Sequence, residues 1–458
     1  MKDQINPQVL DIYKRLENAG YEVYFVGGCV RNLILGQKPK DWDLTTNATP
    51  EDLQAVFPDS FYDNKFGTVG IPLPIVLEDE HPGVVEITTY RTESSYKDHR
   101  RPESVSWGKT IEEDLSRRDF TINAMALRFV QDTQVLIDPF NGQGDIVLKL
   151  IKAVGNPDER FKEDALRLLR AVRFGAQLKF GIEEKTLKAI TQNASLIEHI
   201  SGERIRDELL KILESEHAYE GVMLLDTTGL LDYILPELSK GKGVSQERPG
   251  RHHTTDVFTH NVLSLKHTPS TDPIVRLATL LHDAGKPMVR SVDEDGHVIF
   301  YNHEVAGARI AREIADRLHF SKKDREKIIT LIRWHMFTVD EKITDSAVRR
   351  FIRRVGLENV SDMIDLRIGD RLGSGTQTAE SWRLKKFKER IVKELNPPFS
   401  INDLAIDGND IMRELKIKPG PRVGEILKKL FEEVDENLEL NTKEYLTKRI
   451  HELSKTNN

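Results

Sequence analysis

Two aspartates two residues apart, Asp41 and Asp43, follow a glycine pair, Gly27 and Gly28, and an arginine, Arg31. On a strand, alternate side chains share a face, so both carboxylates can reach one or two Mg²⁺ ions. Magnesium takes a few hard oxygen ligands and lets phosphate complete its shell. The glycines let the backbone turn tightly and approach a ligand closely. Residues 24–26 read as the end of a strand, and residues 30–35 as the start of a helix with Arg31 near its N-terminus. A strand, a glycine pair and a helix N-terminus with an arginine form a triphosphate cradle. Each part alone is common, but the ordered combination points to phosphoryl chemistry on a nucleotide.

These residues need a scaffold of short strands. A first helix is expected over residues 1–20, then strands over 21–26, 42–45, 68–72, 84–91 and 122–129. The turn cluster Asp138-Pro139-Phe140-Asn141-Gly142 closes this head near residue 143. Helical patterning follows: a neck and body over 144–240, a linker around 241–250, a third unit over 251–374 and a tail over 375–458. The expected fold class is α+β, a mixed sheet with helices followed by all-α domains.

The chain has 458 residues, 38% hydrophobic and 31% charged, which suits several soluble domains. No apolar run approaches membrane-spanning length, so no membrane partner is expected. The charged, amphipathic start lacks a signal-peptide core. Cys29 is the single cysteine, which excludes an intrachain disulfide and a cysteine-rich zinc site. A reducing cytoplasm is the expected location. The net charge of −7 argues against a basic field over the whole protein, but leaves room for a local basic groove.

The order GGxVR, spacer, Asp-x-Asp resembles the opening motif of the class II tRNA nucleotidyltransferase and bacterial poly(A) polymerase family. The resemblance implies a polymerase-β-like nucleotidyltransferase head. It also makes Glu86, on the strand face opposite Val85 and Ile87, the third carboxylate, which deprotonates the attacking hydroxyl or completes the metal site. Residues 112–124 closely match the family's RRDFTxNA block. Its paired Arg117 and Arg118 can bind triphosphate oxygens, and Asp119 and Asn123 offer hydrogen bonds to ribose hydroxyls. The polar, basic stretch 91–107 looks like the family's flexible loop that helps to switch the site from CTP to ATP.

Residues 160–174 are expected as one helix with Ala165, Leu168, Leu169 and Val172 buried. Glu163, Asp164 and Arg167 fit the family's EDxxR motif, with Arg170 on the same charged face as Glu163 and Arg167. Cytosine and adenine both present an amino donor beside an unprotonated ring nitrogen. Asp164 can accept from the first and Arg167 donate to the second, while uracil and guanine present the reverse pattern and leave polar groups unpaired. Residues 201–210 resemble the motif that buttresses this helix.

Further on stand His260, His282-Asp283, His303, His335 and Asp370. Their order is that of the HD phosphohydrolase superfamily, in which such residues hold one or two divalent ions; imidazole and carboxylate suit Mn, Fe, Ni or Zn as well as Mg. The resemblance as a whole implies a CCA-adding enzyme with Mg²⁺ in the head, using CTP and ATP on the 3′ end of tRNA gripped by its acceptor arm. An A-adding enzyme, a CC-adding enzyme, a poly(A) polymerase and, from another class, a non-catalytic RNA-binding regulator stand as rivals.

Overall fold

The computed structural model describes residues 2–63, 67–73, 83–93, 105–130, 133–246, 255–340, 342–376, 378–394 and 400–455. The chain divides into two compact units, Met1–Ser239 with Asp316–Phe320, and Lys240–Ala315 with Ser321–Asn458.

The first unit holds a seven-stranded mixed sheet. Its strands are β1 Val23–Val26, β2 Trp42–Thr46, β3 Phe61–Asp63, β4 Thr68–Pro72, β5 Val84–Thr89, β6 Ala126–Val130 and β7 Thr133–Ile137, in the order β3-β4-β5-β2-β1-β6-β7. Only β2 and β5 run parallel, with Asp43 opposite Glu86. Helix α1, Pro7–Asn18, starts with Asn6 accepting from the Gln8 N–H and Pro7 in the first turn, and buries Val9, Ile12, Tyr13 and Leu16. Tyr13 stacks on Phe25 at 5.2 Å, and Trp42 and Phe129 meet Phe25 edge-on, so aromatic packing fixes one sheet face. By strand alternation, the opposite face carries Tyr24, Val26, Asp43 and Glu86. There Tyr24, Val26 and Ala126 pack against Ile111 and Leu115 of helix α3, Ile111–Ser116. Between β1 and β2 lies helix α2, Gly28–Ile34.

Two expectations need correction. The strand over 122–129 begins only at Ala126, because Thr121–Asn123 forms a single 3-10 turn. The helix over 160–174 is broken: α4 is Pro157–Glu163, α5 is Leu166–Leu178, and Asp164 is extended between them. Its Oδ1 accepts the Leu166 N–H at 3.1 Å, a local bond that competes with helical continuation. Beyond β5, residues Arg91–Glu93 pair with Val105–Trp107 as a separate ribbon. The core of the expected switching loop, 94–104, lies outside the described residues. Helix α6, Gly202–Glu214, packs on α5 through the buried Arg173–Glu208 pair at 3.0 Å.

Among its described residues, the second unit is helical apart from the short pairing of Ser291–Val292 with Val298–Ile299 and the isolated bridge of Ser245 with Asp256. Its elements include α7 Val257–His267, α8 Pro273–Leu281, α9 His303–Arg317, α10 Lys322–Trp334 and α11 Val360–Gly373. Helix α8 is apolar on most sides, and Ile274, Val275, Leu277, Ala278, Leu280 and Leu281 are buried. Toward the C-terminus, Ile411, Val423, Ile426, Leu430, Val434, Leu446 and Ile450 form a small core of their own. Among the described residues, no helix is long and apolar enough to cross a membrane.

Candidate active site and metal centre

The β2–β5 register puts Asp43 and Glu86 side by side on one face. Asp41 precedes β2 by one residue and is exposed, as is Glu86, whereas Asp43 is half-buried. Burial raises the Asp43 carboxyl above its ordinary range, against the pull of Arg118. Gly27 turns the chain at φ +70°, and a Cβ there would stand 3.1 Å from Arg118 Nη1 and 3.4 Å from Asp43 Oδ2. Glycine is required there for its conformation, and a side chain would also crowd the Arg118 guanidinium. Carboxylate oxygens are the donors a hard cation takes, but the three do not close into one tight cluster here.

Arg117 and Arg118 follow α3, and both are held by Asp114, which is fully buried. Arg117 Nη2 donates to Asp114 Oδ1 at 2.6 Å and Arg118 Nη2 to Asp114 Oδ2 at 3.0 Å. Burial would raise the Asp114 carboxyl, but Arg118 and Arg117 hold it below the usual carboxylate range. Sequence reasoning had given Asp114 no role, although its i, i+3 and i, i+4 spacing to the two arginines signals it.

Asp119 and Asn123, the pair expected to meet ribose, also bond within the protein. Asp119 Oδ2 accepts Arg170 Nε at 2.7 Å, and Asn123 Oδ1 accepts Arg31 Nη1 at 2.7 Å. Burial would raise the Asp119 carboxyl, yet Arg170 brings it down to about 2. Burial of Arg31 lowers its pKa to about 10.

Arg167 Nη1 bonds Glu163 Oε2 at 2.6 Å, and Arg167 Nη2 reaches the Arg117 carbonyl at 2.9 Å. The base-reading candidates are thereby tied to the arginine pair. Asp164 is held by Arg204 Nη2 at 3.0 Å, from the segment expected to buttress it.

A second centre lies in the other unit. His260 comes from α7, His282 and Asp283 follow α8, His303 opens α9, His335 follows α10 and Asp370 lies on α11. The Nδ1 atoms of His282, His303 and His335 lie 2.7–2.8 Å from the carbonyls of Thr279, Phe300 and Ile332. These bonds require Nδ1–H and leave Nε2 as the ligating lone pair. Asp283 Oδ2 lies 3.4 Å from the Nε2 atoms of both His260 and His282, while Asp370 Oδ1 is 3.3 Å from His260 Nε2. Asp283 Oδ1 faces His303 Nε2 at 3.2 Å and His335 Nε2 at 3.7 Å. The two oxygens of one carboxylate thus address two sets of imidazoles. Lys286 Nζ, absent from the sequence expectations, lies 2.5 Å from both Asp283 Oδ2 and Gln246 Oε1.

This sheet, with its glycine turn and carboxylate face, defines a nucleotidyltransferase head. Residues 23–152 match the family described as poly A polymerase head domain, residues 179–241 the probable RNA and SrmB-binding site of polymerase A, and residues 299–450 a putative tRNA nucleotidyltransferase domain 2. A CCA-adding enzyme of Ligilactobacillus salivarius is 31% identical over 452 residues, 97% of this chain and 96% of that one. An A-adding tRNA nucleotidyltransferase of Deinococcus radiodurans is 33% identical over 420 residues, 89% and 90% of the two chains. Higher identity is confined to a shorter stretch. The CCA-adding enzyme of Geobacillus thermodenitrificans is 46% identical over 237 residues, and the match spans about half of each protein, 51% of this chain and 56% of that one. The crystal structure of the Bacillus stearothermophilus CCA-adding enzyme in complex with CTP superposes over 99% of both chains, with TM-score 0.72 and 28% identity. The chain belongs to the class II tRNA nucleotidyltransferase and poly(A) polymerase family.

Proposed function

We propose that the chain adds C, C and A to the 3′ end of tRNA, using CTP and ATP and releasing pyrophosphate. The observation that carries this reading is the pairing of Asp43 with Glu86 beside the Gly27 turn. Asp41 and Asp43 would hold Mg²⁺, which supplies charge neutralisation at the phosphates and acidifies the hydroxyl. Gly27, Gly28, Arg31, Arg117 and Arg118 cradle the triphosphate. The terminal 3′-oxygen of the tRNA attacks the α-phosphorus and its proton passes toward Glu86. The bond from the α-phosphorus to the bridging oxygen breaks, and pyrophosphate leaves. Asp164 and Arg167 read the base edge, accepting C and A and refusing U and G. Names of full-length relatives support both CCA addition and A addition. The deciding experiment offers tRNAs ending before C, after C and after CC to each labelled nucleotide. C incorporation on the first two and A on the third is expected; A incorporation alone would make the chain an A-adding enzyme.

A second activity is favoured by the convergent Nε2 atoms. His260, His282, Asp283, His303, His335 and Asp370 would hold one or two divalent cations and hydrolyse phosphomonoesters or 2′,3′-cyclic phosphates, on nucleotides or RNA ends. Elemental analysis of the purified protein tests it. No bound transition metal, together with no hydrolysis across several added metals, would remove this activity from the account.

A further inference from the structure

Two cations flank the carboxylates of the histidine cluster, and they are held differently. Lys286 is buried, and its Nζ lies 2.5 Å from both Asp283 Oδ2 and Gln246 Oε1. Arg367 lies on α11, three residues before Asp370, and donates from Nη1 to Asp370 Oδ2 at 3.0 Å. The other oxygen of that carboxylate, Oδ1, is 3.3 Å from His260 Nε2. A single carboxylate therefore separates the guanidinium from the imidazoles. A guanidinium carries a fork of N–H donors, and this bond uses one of them. Among the described residues, Arg367 makes no other hydrogen bond or ion pair. Its side chain is 29% exposed and none of its nitrogens is both buried and unpaired, so the remaining donors meet solvent.

An i, i+3 pair on a helix is by itself a common surface ornament of small energy. The second hold on Arg367 sets it apart. Its guanidinium carbon lies 5.7 Å from the centroid of the Phe337 ring, two residues beyond His335. Phe337 is itself fixed by Phe351 and Phe387, with ring centroids 4.7 and 5.6 Å away. A ring face steadies a guanidinium without consuming its N–H edge. Both holds on Arg367 thus come from the site, one from a candidate ligand and one from the segment that follows another.

We propose that Arg367 is a phosphate-binding residue of the second centre, whose free N–H edge grips unesterified oxygens of the phosphoryl group to be hydrolysed. This rests on the reading of the histidine cluster as a phosphohydrolase site. Paired N–H···O bonds to one phosphate are what the planar fork supplies and an ammonium does not. Lys286, buried and bonded to two partners, holds Asp283 instead. A substrate suited to Arg367 carries an anionic phosphate with at least two free oxygens, as phosphomonoesters and cyclic phosphates do.

The test uses the full chain reconstituted with whichever divalent ion supports hydrolysis best. Bound metal, the Kd for inorganic phosphate by calorimetry, and KM and kcat for a 2′,3′-cyclic nucleotide are measured in the wild type, Arg367→Gln and Arg367→Lys. Metal content should match the wild type in both variants. In Arg367→Gln the Kd for phosphate and the KM should each rise about tenfold or more, the cost of losing a hydrogen bond to a charged group. Arg367→Lys should recover only part of that loss, because the paired bonds are gone. Unchanged Kd and KM in metal-loaded Arg367→Gln would overturn the proposal. So would loss of metal with phosphate affinity intact in the fraction that stays loaded, since Arg367 would then serve only to support Asp370. If Arg367→Gln does not fold, Arg367→Lys keeps the charge and gives the same readout. A wild-type chain that holds no metal and hydrolyses no phosphate ester would instead overturn the reading of the second centre, and this inference with it.

Discussion

In the head, Asp41 and Glu86 are exposed and Asp43 is half-buried on an open sheet face. In the second unit, His260, His282, Asp283 and His335 are each 2% exposed or less, gathered from the ends and faces of packed helices. The head's carboxylates come from a strand and its parallel neighbour, and arginines rather than histidines surround them. In the other centre three of the four imidazoles, His282, His303 and His335, are oriented by backbone carbonyls. The contrast fits two ways of using a cation. An open carboxylate face suits Mg²⁺ that comes and goes with a triphosphate, because the ligand completes the shell. A buried set of oriented Nε2 atoms suits a resident metal.

The largest expected effect separates the two centres outright. Asp43→Ala should lower addition of C and A by about a thousandfold or more, since a ligand to the proposed Mg²⁺ would act on the transition state. Binding of tRNA and hydrolysis at the second centre should persist, as read by a gel-shift assay and by phosphate release. Near-normal turnover with Mg²⁺ would remove Asp43 from the metal site. The reciprocal change, Asp283→Ala, should abolish bound transition metal and hydrolysis and leave nucleotide addition within about twofold of wild type, since the head site is built from residues of the other unit.

Asp114→Asn should act mainly on binding. The Asp114 carboxylate supports Arg117 and Arg118 from helix α3, so KM for both nucleotides should rise about tenfold with a smaller change in kcat. Leaving two arginines without this buried partner should also cost about 3 kcal/mol of stability, measured by denaturant unfolding. An unchanged KM would show that the pair does not contact triphosphate.

Acid titration probes Asp119. Its folded value of about 2 lies below its unfolded value of about 3.9, so its stabilisation is fully present above the unfolded value and lost as pH falls through the folded one. The contribution is about 2.5 kcal/mol, and Asp119→Asn should flatten that part of the unfolding curve. An identical acid limb in wild type and variant would contradict the paired carboxylate.

The smallest expected effect is at Gly27→Ala. At φ +70° and ψ −133° an alanine is strained by about 1–3 kcal/mol, and its methyl must push Arg118 aside. Nucleotide addition should fall about tenfold, while hydrolysis at the second centre stays unchanged. Full activity in both assays would mean that the turn tolerates a side chain.

The local motifs were legible because their chemistry sits within a few residues of sequence. Gly27 turns the chain ahead of helix α2, Asp43 lies on β2 with Asp41 just before it, and Arg117 and Arg118 follow α3. The six residues from His260 to Asp370 also converge as their order implied, although they come from separate helices. Less legible were relations set by tertiary structure. Nothing in the sequence around Asp43 gives the β2–β5 register that puts Glu86 opposite it. The break at Asp164 was hidden because the apolar spacing continues smoothly from Ala165. Only the side-chain bond to the Leu166 N–H ends one helix and begins the next. The partners of Asp119 and Asn123 inside the protein were also hidden, because Arg170 and Arg31 reach them from other elements.

The difference between the two centres is tested most directly by stripping the protein of metal with a strong chelator and returning Mg²⁺ alone. Addition of C and A to tRNA should return in full, while hydrolysis of a 2′,3′-cyclic phosphate should stay absent until a transition metal is supplied. Return of both activities with Mg²⁺ alone, or a requirement for a transition metal in nucleotide addition, would contradict the assignment of an exchangeable ion to the head and a resident one to the histidine cluster.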